Sequence, residues 1–250
     1  MSIVRAIVWR EWARFRRQPV RAAATVGTPI VLMLGLAAGL SGELGGLSDA
    51  GYAGFLLPGV IAMAALFAAA FGAISLIEDR DNGPLLAILA GPAPARRIGF
   101  GKTLALGMLA LAQALPLLAG AWVLGLNPSP VGVAIAVAGV AALCLGTTGF
   151  ALALAWRSRD AAAFHSVMNM LLLPAWMLAG AFYPADTAHP IMRWLTMADP
   201  LAWPVATIRL GLLGETRMPG PVWVFPVLTA CYAIVGCAFG TLRARRSATL

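Results

Sequence analysis

The tetrapeptide Asn127-Pro128-Ser129-Pro130 lies at the middle of Thr103–Trp156, a run of 54 residues without one Asp, Glu, Lys or Arg. An ionisable group at the centre of a bilayer costs at least about 2.5 kcal/mol, so charge-free runs measure membrane spans. About 20 residues rising ~1.5 Å each cross a hydrocarbon core of ~30 Å. The run is too long for one span and suits two. Its central prolines, which a helix interior does not tolerate, make the tetrapeptide the turn between them.

Working outward, Ala22–Gly42, Ala50–Ile77, Ala161–Ala185 (counting His165 as neutral) and Met218–Leu242 are four further charge-free runs of single-span length. The chain is 60% apolar and 11% charged with a mean hydropathy of +0.84, where soluble domains carry about 25% charged residues. These features predict an all-α membrane protein, a single transmembrane domain over 1–250, with six transmembrane helices at about 22–41, 55–77, 103–125, 131–156, 162–183 and 221–242.

An even number of spans puts both ends on one side. Of the eighteen basic residues, fifteen fall in 1–21, 78–102, 157–160 and 243–250, and only Arg193, Arg209 and Arg217 lie opposite. The positive-inside rule then makes both termini cytoplasmic. The net charge of +8 is read as topological, with no nucleic-acid partner. Only one of the eighteen basic residues, Lys102, is lysine, a scarcity read as genomic bias. Cys144, Cys231 and Cys237 all fall inside predicted spans without ligand or disulfide spacing and read as small packing residues.

Residues 1–21 precede the first span. At 100° per residue Val4, Val8, Trp12 and Phe15 share one side, with Arg10, Arg14, Arg17 and Arg21 opposite. The pattern predicts an amphipathic elbow helix lying along the cytoplasmic leaflet against membrane lipid, with Trp9, Arg10, Trp12, Arg14 and Phe15 as its interfacial residues. On the outer side, 184–219 holds Ile191–Leu195 and Val205–Leu210, two helix-like pieces broken by Pro190, Pro200 and Pro204. With Trp194 and Trp203 at headgroup level, it reads as a re-entrant or interfacial helical hairpin. Gly35-x-x-x-Gly39 and Gly236-x-x-x-Gly240 match a close-packing motif, but 27 glycines make such matches common.

The segment Ile77-Glu78-Asp79-Arg80-Asp81-Asn82-Gly83-Pro84-Leu85-Leu86-Ala87-Ile88-Leu89-Ala90-Gly91-Pro92 sets three acids before a short apolar stretch. Asp81 or Asn82 suits an N-cap, Pro84 the first helical position, and Gly91-Pro92 the stop. A two-turn helix over 84–90 results, with Leu85, Leu86, Ile88 and Leu89 around most of its circumference. Its loop is too short to build a core, so a groove on another protein is the expected place for it.

Here the residues carry a resemblance. Glu78, Asp81, Gly83, Leu85, Leu86, Pro92 and Gly101-Lys102 are similar to the pattern after the second span of type-2 ABC exporter permeases, a family that includes drug, polysaccharide and lipo-oligosaccharide exporters. Gly180, Phe182, Pro184, Pro190, Trp194, Asp199-Pro200 and Arg209 resemble that family's fifth span and outer hairpin. Pro84 stands where the family often has Thr, and Asp199 where it often has Asn. The resemblance implies a membrane subunit of the bacterial inner membrane, self-associating as a dimer around the translocation path. Two ABC ATP-binding subunits would each receive the 84–90 coupling helix, with Glu78, Asp79, Arg80 and Asp81 as polar contacts flanking the socket. The chain itself would bind no cofactor; ATP and Mg would sit on the partner ATPase.

Other readings are weaker. Gly101-Lys102-Thr103 ends like a phosphate-binding loop, but the required first glycine is Arg96 and no strand precedes it. Ser41 and His165 could form a hydrolase pair only within ~3 Å, and they belong to opposite ends of their spans. A secondary transporter or channel usually buries an ionisable group in mid-span; here the cores offer Gln113, His165, Ser166 and Asn169. His165 and Asn169, four apart on one face, are candidates for lining the path. Spans rich in Ala, Leu and Gly, without an aromatic ladder, favour a hydrophobic drug-like or lipid-like cargo over a polysaccharide or lipo-oligosaccharide.

Overall fold

The computed structural model describes residues 3–44, 46, 48, 51–89, 91 and 94–247, the side chains of 41, 43, 44, 86, 87, 89 and 245–247 excepted. The chain runs through α1 (Ile3–Arg16), α2 (Pro19–Leu44), α3 (Gly51–Asp81), α4 (Pro84–Leu89), α5 (Ala95–Ala114), a 3-10 segment (Leu115–Ala119), α6 (Gly120–Val123), α7 (Pro130–Ala155), α8 (Ala161–Leu178), α9 (Pro190–Ala198), α10 (Ala202–Leu213) and α11 (Val224–Ser247). Among the described residues six helices are long and apolar enough to cross a membrane.

The deciding turn is built as its sequence dictates. Ser129 caps α7 by accepting the Gly132 N–H at 3.0 Å, with Pro130 as the first helical residue. Asp160 caps α8 by accepting the Ala163 N–H at 2.7 Å. The third span is not one continuous α-helix. Pro116 lacks an N–H to give the carbonyl one turn back, and the helix tightens to 3-10 over Leu115–Ala119 before α6 completes the crossing.

α3 is the buried mast of the bundle, with 83% of its apolar window covered; α2 and α8 have only 17% covered and so present apolar faces outward. On the other side α7 packs against α11 and α10. The backbones meet closely there: a Cβ on Gly149 would run into the Gly236 carbonyl, and one on Gly240 would come 3.0 Å from the Gly149 Cα. The second glycine motif is therefore used inside the fold, whereas Gly35 and Gly39 have nothing within 4 Å of a built Cβ.

Several boundaries differ from the sequence reading. α3 continues through Glu78–Asp81, so those acids form its last turn instead of a loop, and Asp81 is helical rather than a cap for α4. α5 begins at Ala95, well before 103, and carries Arg96, Arg97 and Lys102 on its first turns. Pro204 breaks nothing: it lies in the first turn of α10, where its missing N–H is unpaired in any helix. α10 is buried along most of its length, against α7, α11 and α3.

α1 meets the bundle along an edge between its two faces. Its two buried residues are Ile7 and Glu11, which lie between the apolar and the arginine faces, and it packs on α5. Trp12 and Phe15 are half-buried, while Trp9 is 71% exposed. The physical reason is the charge network below, which draws Glu11, Arg10 and Arg14 toward the bundle.

Candidate functional site

The last turn of α3 concentrates three carboxylates at a helix C-terminus, where the helix dipole disfavours negative charge. Three cations from two other helices offset this. Asp79, 3% exposed, accepts from Arg10 as a fork, Nη1 to Oδ2 at 2.8 Å and Nη2 to Oδ1 at 2.5 Å. It also accepts from Arg14 Nη1 at 3.1 Å and Lys102 Nζ at 2.5 Å. Lys102, wholly enclosed, donates in addition to Glu11 Oε1 at 2.6 Å, and Arg14 pairs with Glu78. The hydrogen bond to Asp79 holds the Arg10 guanidinium above its ordinary pKa.

An unpaired buried ion costs several kcal/mol, so the enclosed members, Glu11, Asp79 and Lys102, are tolerated because they pair with one another and with the half-exposed Arg10 and Arg14. The network joins α1, α3 and α5 into one rigid corner. Glu11 was not singled out from the sequence, and Lys102 entered only through the Gly101-Lys102 pattern, not as a partner of Asp79. A further signal was that the only lysine of the chain stands in an otherwise arginine-rich set of basic residues; in the fold it is an enclosed, paired charge.

α4 leaves this corner through Gly83, whose φ of 93° makes the reversal that a side chain would strain. Pro84 begins the helix as predicted. Leu85 is not a partner-facing residue: it is 1% exposed, in one apolar cluster with Leu76, Ile77, Ile98 and Phe164, and Ile88 packs partly on the same cluster. The short helix is thus anchored by its own bundle. The side chains of Leu86 and Leu89, and residues Ala90 and Pro92, lie outside the described residues. Pro84, Asp81 and Asn82 are exposed. Arg80 donates through Nη2 to the Arg159 carbonyl at 2.8 Å, clipping α3 to the α7–α8 turn, and through Nε to Asp81 at 3.3 Å. Of the four polar residues expected to flank a partner's socket, Asp79 faces inward, Glu78 holds Arg14, half-buried Arg80 holds the α7–α8 turn, and Asp81 is exposed.

His165 and Asn169 are brought together. Both are exposed on α8 at the rim of a small apolar cleft against α3, walled by Met63, Leu66, Phe67 and Trp176. On the opposite side of the bundle, Pro190 starts α9, Trp194 is 69% exposed, and Pro200 lies in the α9–α10 turn, with Pro184 half-buried ahead of them. Arg209 is not a surface residue. It is 1% exposed, donates through Nη2 to the Gly180 carbonyl at 2.8 Å, and sits 4.3 Å over the Phe55 ring. Asp199 accepts the Leu201 N–H at 3.0 Å; burial pushes its carboxyl up to about 6, against the opposing pull of that N–H.

Residues 3–213 match the family of the ABC-2 type transporter. The chain belongs to that family. The matched region takes in α1 to α10, hence the charge network, the short helix and the α9–α10 pair. The chain is also similar to Nodulation protein J of Neorhizobium galegae, 26% identical over 227 residues covering 83% of this chain and 80% of the relative. An ABC-2 type transporter chain is a multi-pass membrane transport subunit, which replaces the hydrolase and secondary-transporter readings. Members of this family work with separate ATP-binding subunits.

Proposed function

We propose that the chain is the membrane half of an ATP-driven exporter: two copies form the translocation path, and each receives one cytoplasmic ATPase at α4. The observation that carries this is a six-residue helix fixed by Leu85 to its own core and seated at the end of the most buried span. A helix so anchored transmits a push from a partner to α3, and the ion pairs of Asp79 pass it to α1 and α5. ATP and Mg belong to the partner. Closure of the ATPases would then shift the two membrane halves as rigid bodies.

The apolar outward faces of α2 and α8 are the expected meeting surfaces of the two copies, which would place His165 and Asn169 beside the path. The orientation is that of the basic residues, with both termini and α4 on the cytoplasmic side of a bacterial inner membrane. The cargo that fits the apolar, aromatic-poor spans is drug-like or lipid-like, with a polysaccharide or lipo-oligosaccharide as the alternative class. The test pairs two variants of α4. Leu86→Asp is expected to yield folded protein that no longer co-purifies an ATP-binding subunit from mild detergent. Leu85→Asp is expected to lose the fold, because a charge enters a closed apolar cluster. Folded Leu86→Asp protein retaining the wild-type amount of ATPase would refute the coupling role of α4.

A further inference from the structure

Beside the charge network, α1, α2, α3 and α5 line a narrow open cleft bordered by Arg14, Gln18, Arg21, Thr25, Phe71 and Gln113 among others. Glu11 also reaches it, but is held by Lys102. Arg21 differs from its neighbours. Its Nη1 donates to Gln18 Oε1 at 3.0 Å and its guanidinium lies 5.1 Å over the Phe71 ring, yet no carboxylate among the described residues is within ion-pair distance. In this corner Arg10, Arg14, Arg21 and Lys102 face only Glu11, Glu78 and Asp79, so one positive charge is left over. That charge is on Arg21, at the mouth of a cleft whose inner wall is apolar, with Ala68, Leu106 and Leu109 behind it.

A half-enclosed arginine with donors to spare, beside an apolar wall at the foot of a span, suits one kind of ligand: a phosphate-bearing amphiphile. We infer that Arg21 and the cleft beneath α1 bind the headgroup phosphate of a single anionic phospholipid from the leaflet on which α1 lies. Gln18 would orient the guanidinium, Phe71 would back it, and the glycerol and upper acyl chain would follow Leu106 and Leu109. The lipid would supply the missing negative charge and fasten the elbow to the bundle. This inference does not depend on the ATPase or on the direction of transport.

The experiment is native mass spectrometry of the full-length chain in detergent, titrated with phosphatidylglycerol or with phosphatidylcholine of the same acyl chains. The wild type is expected to hold one phosphatidylglycerol about tenfold more tightly than phosphatidylcholine. Arg21→Gln should abolish that preference, Arg21→Lys should keep most of it, and Arg17→Gln, an exposed arginine outside the cleft, should leave it unchanged. Equal affinity for the two lipids in the wild type, or an equal loss in Arg17→Gln, overturns the site. Inorganic phosphate at matched concentration is expected to leave the adduct intact; displacement would assign the site to a soluble anion and overturn the lipid. Should Arg21→Gln fail to fold, photoactivatable phosphatidylglycerol decides: cross-links on wild-type peptides containing Thr25 or Phe71 support the inference, and cross-links only elsewhere overturn it.

Discussion

Replacing Lys102 by Met removes the hub of the charged corner while keeping an unbranched apolar stem in its place. In the wild type Lys102 is wholly enclosed and donates at 2.6 Å to Glu11 and 2.5 Å to Asp79. In Lys102→Met, Asp79 keeps the fork from Arg10 and the bond from Arg14. Glu11, 2% exposed, keeps only Arg10 at 3.7 Å. Breaking a buried pair from one side costs about 3–5 kcal/mol, because it leaves an uncompensated buried charge. At roughly 2–4 °C per kcal/mol for a chain of this size, the apparent Tm falls by about 6–20 °C. Thermal unfolding followed by tryptophan fluorescence in mild detergent measures the loss.

The double variant Glu11→Gln with Lys102→Met separates pairing from packing. It removes the stranded carboxylate, so it is expected to recover about half or more of the loss, since neutral replacements for buried ion pairs are often tolerated. A single variant unfolding within about 2 °C of the wild type, or a double variant no better than the single, would refute the view that this network is tightly coupled.

Two further outcomes follow from the packing and from the outer side of the bundle. Asp199 has a folded pKa raised from 3.8 to about 6 by burial, so its contribution to stability is fully present below its unfolded value and is lost as pH rises through about 6. The loss amounts to at most about 3 kcal/mol, and Asp199→Asn should match the wild type near pH 4 and exceed it near pH 8 in urea or thermal unfolding. The same pH slope in both proteins would show that the buried carboxyl does not titrate as argued. Gly149→Ala drives a methyl group into the Gly236 backbone on α11, a neighbour that cannot move aside like a side chain, and should destabilise by about 3 kcal/mol. Gly35→Ala, with open space around it, should change the unfolding of the isolated chain little, and equal effects at the two glycines would contradict the helix contacts described.

What the sequence determined by itself is the set of spans and their turns. Charge-free length and the proline turn at 127–130 are local properties, because each residue pays its own desolvation wherever its helix goes. The short helix after Gly83 was legible for the same reason, as was the family pattern around it. What only the tertiary structure decided is which helix faces meet. Glu11 and Lys102 are 91 residues apart and Arg10 and Asp79 are 69 apart, and no periodicity in one segment announces a counter-charge in another. The amphipathic reading of 1–21 set the arginines on one face of the helix but held no sign that Arg10 and Arg14 would bond the buried Asp79 of α3. Leu85 and Arg209 make the same point in opposite senses: an apolar residue assigned to a partner and a charge assigned to the surface are both held inside, by neighbours contributed from distant parts of the chain.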